Sequence, residues 1–171
     1  MSIQLVRPTI ELKEQVLDFK QEHFLHNEMM INGSQMLDQI DSYEEWLTFV
    51  TNSTKLETVP PQRVVSDTFL AINENNRIVG IIDLRHELKG SLKDFGHCGY
   101  NVRPTERKKG YATQMLHLIL EVAKEFGFNY IQLSAEKDNI ASIKTIIKNG
   151  GKYERSFQFN DKEAYVYIID L

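Results

Sequence analysis

The stretch Tyr100-Asn101-Val102-Arg103-Pro104-Thr105-Glu106-Arg107-Lys108-Lys109-Gly110-Tyr111-Ala112-Thr113 decides how this chain reads. A β-forming run stops at Pro104, a short basic loop turns, and an amphipathic helix begins. The first turn of a helix carries free backbone N–H groups and a partial positive charge, and both suit an anion. Gly110 has no Cβ, so a phosphate can approach the backbone closely. Arg107, Lys108 and Lys109 add positive charge against one acid, Glu106. A helix with only a structural task is expected to carry acidic residues in its first turn. This basic start points to an anionic partner.

Outward from this stretch, a long helix is expected from near Lys108. Ala112, Met115, Leu116, Ile119, Val122, Ala123 and Phe126 trace one face in steps of three and four, and Gly127 closes it. A strand is predicted over 130–133 and a shorter helix over 139–148, closed by Asn149-Gly150-Gly151. Residues 152–159 and 163–169 read as a final hairpin around Asn160-Asp161. Upstream, 3–6 is a short strand stopped by Arg7-Pro8, and 11–28 is helical. Ser42 caps a second helix, with Glu45 completing a capping-box pattern. Residues 68–72 and 77–84 form a hairpin, and a glycine-rich segment leads into a strand over 97–102. The order is that of an α/β (α+β) domain with a mixed central sheet, helices on both faces and a C-terminal β-hairpin.

The central motif resembles the pyrophosphate-binding pattern of the GNAT superfamily of acetyltransferases, Gln/Arg-x-x-Gly-x-Gly/Ala. Here it reads Arg107-Lys108-Lys109-Gly110-Tyr111-Ala112. Asp138-Asn139-Ile140-Ala141-Ser142 is similar to the Asn-x-x-Ser/Ala signature that opens the next helix in that family. The segments 96–100 and 147–151 are similar to a subgroup of predicted acetyltransferases. The element order agrees over nearly the whole chain, as one domain spanning residues 1–171.

The resemblance implies a GNAT fold and an N-acetyltransferase that moves an acetyl group from acetyl-CoA to an amine by direct attack. Acetyl-CoA is then the co-substrate, in a cleft between strands 97–102 and 130–133, and no metal is required. Amides of Lys108, Lys109, Gly110, Tyr111, Ala112 and Thr113, with Arg107, cradle the pyrophosphate. Main chain near Val102 binds the thioester carbonyl, and Asn139 and Ser142 form the far wall. An alkyl amine is neutral in about one molecule per thousand at pH 7, so a base is useful. His97 is the candidate base, or else a histidine hydrogen-bonded within the sheet; Asp94 and Glu87 stand in reserve. Many family members carry a tyrosine seven residues after the asparagine, where this chain has Ile146, which has no proton to give. Tyr100, Tyr111 and Tyr153 read as packing residues. A non-catalytic acyl-CoA-binding or sensing module is the alternative.

Composition bounds these readings. The chain has 171 residues, a net charge of -4 and one cysteine, Cys98. That excludes a disulfide framework and a Cys-rich zinc site, and speaks against a nucleic-acid partner. Cys98 reads as a buried apolar side chain. No run reaches the roughly 18–20 apolar residues of a membrane span, and residues 1–8 lack a secretory pattern, so a cytoplasmic monomer or homodimer is expected. His23-x-x-His26 has a spacing that suits a metal but no supporting carboxylate motif, and His117 lies off its helix's apolar stripe. Residues 11–60 hold ten Asp/Glu against three Lys. That excess suits either a cationic acceptor or a solvated helix face.

Overall fold

Apolar side chains alternate between two faces along residues 66–85, and that alternation builds the centre of the molecule. The computed structural model describes residues 2–171. Strands β1 (Ile3–Val6), β2 (Ser66–Asn73), β3 (Ile78–Arg85) and β4 (Tyr100–Val102) form an antiparallel sheet in that order. Strands β5 (Tyr130–Glu136), β6 (Lys152–Phe159) and β7 (Lys162–Asp170) form a second antiparallel sheet, ordered β5-β7-β6.

Helices α1 (Lys13–Leu25) and α2 (Tyr43–Asn52) cover one face of the first sheet. Val16, Phe19, Tyr43, Trp46 and Val50 pack there on Leu70, Ile78 and Ile81. Trp46 is fully buried and donates its indole N–H to the Ser34 carbonyl at 2.8 Å. After a short helix, α3 (Leu92–Phe95), come α4 (Tyr111–Glu125) and α5 (Ile140–Lys148). Met115, Leu116 and Ile119 of α4 and Ile146 of α5 share a core with Phe69 and Ala71 of the first sheet and Ile131, Leu133 and Tyr167 of the second. This is the layered α/β arrangement, helices on both faces and a closing hairpin, that the sequence order implies.

The expected central sheet is divided. β4 and β5 are neighbouring edges that touch only at one end. There the His97 N–H donates to the Gln132 carbonyl at 2.7 Å, beside an isolated bridge from Gly96 to Leu133. Beyond that joint the two strands do not pair.

Element ends moved for local reasons. The first helix stops at Leu25 because Asn27 is left-handed (φ 61°). The long helix starts at Tyr111 rather than Lys108, since Lys108 (φ 64°) and Gly110 (φ 83°) both leave the helical region. Half of the capping box forms: Ser42 Oγ accepts the Glu45 N–H at 3.2 Å.

Candidate active site

β4 is held to β3 through alternate residues. The N–H of Arg103 donates to Val79 O, that of Asp83 to Gly99 O, and that of Arg85 to His97 O. In an antiparallel ladder the intervening residues, Tyr100 and Val102, turn N–H and C=O away from β3. They face the gap that opens toward β5. An exposed main-chain edge of this kind is a template for an extended ligand. The Val102 carbonyl is partly engaged, accepting from Arg107 Nε at 3.1 Å.

At the C-terminal end of β4 the chain turns through a 3-10 helix (Pro104–Glu106) into the N-terminus of α4. Among the described residues, no backbone acceptor meets the N–H groups of Lys108, Lys109, Gly110, Ala112 or Thr113. A Cβ at Gly110 would meet nothing within 4 Å, so the cradle is open to solvent. Tyr111 is buried and anchors the turn in the core.

The cations of this loop are not all free for a ligand. Arg107 forms a bidentate pair with Glu28 at 2.6 and 2.7 Å and also reaches Asn101 Oδ1. Lys109 pairs with Glu106 at 2.7 Å. Arg103, 2% exposed, is held by Glu22 and Asp18 and donates to the Ile78 carbonyl. Lys108 alone of the three motif cations has no ion-pair partner among the described residues. Two of the three motif cations are therefore neutralised, Arg107 by Glu28 beyond the end of α1 and Lys109 by Glu106 of the loop itself. The pairs of Arg103 and Arg107 take Asp18, Glu22 and Glu28 out of the acidic excess of residues 11–60. Burial raises the Glu22 carboxyl, but the hydroxyl and N–H of Thr105 and the Arg103 guanidinium outweigh it and bring it to about 2. The Arg107 guanidinium holds Glu28 below its ordinary range.

The far side of the gap is the start of α5. Asn139 caps that helix, its Oδ1 accepting the Ser142 N–H at 3.2 Å. Ser142 Oγ lies 2.7 Å from the Tyr100 hydroxyl, so one hydrogen bond spans the opening from β4 to α5. Burial pushes the Tyr100 phenol up to about 12, so it stays protonated, and either hydroxyl can be the donor in this bond. Ile146 is fully buried in the core. The Tyr100–Ser142 hydrogen bond thus ties β4 to the start of α5, the helix that Asn139 caps.

His97 stands at the closed end, 5% exposed, between the rings of Phe128 and Tyr130. Its Nδ1 accepts the Gln132 N–H at 2.9 Å. Burial, then the charges of Arg85 and His86, lower its pKa to about 4. The lone pair a general base needs is occupied, and the ring acts as a joint between the two sheets. Asp94 pairs with Arg155 at 2.7 Å, and Glu87 pairs with Lys89 at 2.7 Å on the surface. Cys98 is buried, which drives its thiol pKa upward. His117 is exposed. His23 is buried and bonded to Phe19 O and Asn101, whereas His26 bonds to Glu22 O, so the two do not converge. Among the described residues no group of three His, Cys, Asp or Glu gathers to hold a metal, and no helix is long and apolar enough to cross a membrane.

Two features were not read from the sequence. One is the Tyr100–Ser142 bond. The other is the use of Glu22 and Glu28 as partners of the loop. A signal for the second exists: Asp18 and Glu22 stand four apart on one helix face, with no cation of their own helix to pair with that face.

Solved structures of other proteins share this fold. RimL, a ribosomal L7/L12 alpha-N-protein acetyltransferase solved in complex with coenzyme A, matches at TM-score 0.71 and 14% identity, over 100% of this chain and 95% of that one. The microcin C7 self-immunity acetyltransferase MccE, solved with acetyl-CoA and AMP, matches at 0.70 and 14%, over 99% and 92%. YncA of Salmonella typhimurium, solved with its cofactor acetyl-CoA, matches at 0.69 and 13%, over 100% and 95%. No curated protein matches the chain by sequence. The sequence profile described as the acetyltransferase (GNAT) family matches residues 34–150, which include β4, the 107–113 loop and α5. The chain belongs to the acetyltransferase (GNAT) family.

Proposed function

We propose that this protein transfers an acetyl group from acetyl-CoA to an amine in the opening between β4 and β5. The observation that carries the reading is the conjunction of the free β4 edge with the unbonded amides at the start of α4. The diphosphate lies on the N–H groups of Lys108, Lys109, Gly110, Tyr111, Ala112 and Thr113, with Lys108 as the available cation. Arg107 borders this cradle, tied to Glu28. The pantetheine arm extends along Tyr100 and Val102, and Asn139 and Ser142 face it from α5. The main chain around Val102 receives the charge that develops on the thioester oxygen.

In the transfer the amine nitrogen attacks the thioester carbon. The C–N bond forms, the C–S bond breaks with its electron pair passing to sulfur, and the ammonium proton is released to water. No side chain is assigned to proton removal. A thiol of pKa about 8.5 leaves as thiolate at a cost of about 2 kcal/mol at pH 7, so no acid is needed at Ile146. Asp18 and Glu22 of α1 and Glu28 beyond it are held by Arg103 and Arg107, and the acceptor is specified only as an amine.

Titration calorimetry with acetyl-CoA, followed by thiol release on a panel of primary amines, tests the proposal. Saturable binding with amine-dependent release is expected. Binding without release from any amine would favour a coenzyme-binding module instead, and absence of binding would overturn the site.

A further inference from the structure

Between the joint at His97 and the start of β4 at Tyr100 the chain passes through Gly99, where one bond of the regular ladder with β3 is exchanged for a side-chain bond. Within β4 the register with β3 runs to Ile82 opposite Tyr100. The Asp83 N–H still donates to Gly99 O at 3.1 Å. A hydrogen-bonded antiparallel pair would return a bond from the Gly99 N–H to the Asp83 carbonyl. The Gly99 N–H instead donates to the Asp83 side chain, Oδ1, at 2.6 Å. A charged acceptor makes the shorter, stronger bond. The carboxylate has replaced its own main chain as the acceptor, while the register itself holds past Gly99 to Arg85 opposite His97.

The second carboxylate oxygen is also engaged. Asp83, 1% exposed, accepts from Gln35 Nε2 on Oδ2 at 2.5 Å, and Arg85 Nε stands 3.7 Å from the same oxygen. Gln35 Oε1 in turn accepts from Arg63 Nη2 at 2.7 Å. The segment that delivers Gln35 is unusual. Gln35 (φ 50°) and the next residue, Met36 (φ 70°), are both left-handed, a conformation L side chains seldom adopt. Gly33 packs directly on Gly99, where any Cβ would overlap the Gly99 carbonyl. Strained backbone of this kind persists where surrounding contacts hold it, and it gathers at functional sites. Here those contacts end on one carboxylate, which carries the path of β4.

We propose that Asp83, latched by Gln35, is a positioning residue for acetyl transfer: it sets the course of β4 at Gly99 and so the placement of the reacting thioester. This rests on the acetyl-transfer reading given above. Asp83 acts through Gly99, on the face of the sheet away from α4 and α5. The diphosphate cradle lies at the other end of β4, so loss of the latch should leave coenzyme affinity intact while lowering the rate. A misplacement near 1 Å lowers rates by about 100-fold.

The test compares four proteins: wild type, Gln35→Gly, Asp83→Asn, and the double variant Asp83→Asn/Gln35→Glu. Gln35→Gly removes the latching amide while easing the left-handed backbone, so it keeps the fold. Asp83→Asn turns the second arm into a donor facing the NH2 of Gln35. The double variant restores a donor–acceptor match and offers Arg63 a carboxylate. Both single variants should bind acetyl-CoA within threefold of wild type. Both should release thiol about 10- to 100-fold more slowly with the amine that is best in the panel. The double variant should recover to within threefold. Wild-type turnover in both single variants, or no recovery in the double variant, would overturn the proposal. The Gly99 amide proton gives an assay independent of coenzyme. It should resonate downfield in wild type and move upfield in Asp83→Asn, and an unmoved resonance would also overturn the latch. A wild-type protein that fails to bind acetyl-CoA overturns the acetyl-transfer reading instead, and the Gly99 resonance then decides the latch alone.

Discussion

A histidine can be read from sequence as a base, but its hydrogen-bond partner decides whether it serves as one. His97 accepts a main-chain N–H on the nitrogen that an amine would need, and its pKa falls to about 4. Two outcomes follow. First, kcat/KM for an alkyl amine should rise about tenfold per pH unit from 6 to 8, tracking the neutral amine. His97→Asn, which keeps an acceptor for Gln132, should preserve that slope. A plateau near pH 6.5 that vanishes in the variant would restore His97 as the base. Second, a histidine whose folded pKa lies below its unfolded value stabilises fully above about 6.5 and loses that contribution as pH falls through 4. The loss should be of order 3 kcal/mol for this nearly buried ring. Urea titrations of wild type and His97→Asn at pH 4.5 and 7.5 measure the difference. Gly110 gives a third outcome. Gly110→Glu should lower acetyl-CoA affinity at least tenfold in calorimetry by bulk and charge, whereas Gly110→Ala should cost about 1 kcal/mol of stability through strain.

At the level of elements, the helices were legible because burial follows their period. The apolar positions of α4 face the shared core as their spacing implies. The ends were less legible, since they depend on single dihedral angles, as at Asn27 and Lys108. The strand expected over 97–102 keeps only its last half as regular strand. Its first half stays in register with β3 but also bonds the Asp83 carboxylate and Gln132, residues 16 and 35 positions from their partners in sequence. The link between the α1 segment and the 103–107 loop was not legible for the same reason: Glu22 of α1 and Arg103 stand 81 residues apart, and Glu28, just beyond α1, and Arg107 stand 79 apart. That link can be measured. Arg103 is buried on Glu22 and the Ile78 carbonyl, so Arg103→Met should destabilise the fold by about 3 kcal/mol by removing the buried partner of both, although Arg77 and Thr105 still hold Glu22. Glu28→Gln lies nearer the surface and should change stability by less than about 1 kcal/mol. By freeing Arg107 it should tighten acetyl-CoA binding severalfold at low salt, with no gain at high salt.

Over the whole molecule, element order and one motif were enough to read the fold, because a strand leading into a glycine-hinged helix has few arrangements. Which acids and hydroxyls line the opening was beyond sequence reading, since Tyr100 meets Ser142 only once both sheets are packed. The two sheets share the core built on α4 but, among the described residues, their edges meet only around Gly96 and His97. A ligand lying between them should therefore act as a tie. Acetyl-CoA at 100 times its Kd should raise stability by about 2.7 kcal/mol. Hydrogen-exchange protection should increase in β4, the 107–113 loop and the start of α5. Uniform protection, or none in β4, would contradict the placement of the pantetheine arm.

Trp46 is the only tryptophan in the chain, and its indole hydrogen bond ends on Ser34, next to Gln35. Emission from that one fluorophore is therefore a native optical gauge of the 33–36 turn. A shift in its wavelength on adding an amine, absent on adding acetyl-CoA alone, would report in real time which of the two reactants disturbs that turn, with no label attached.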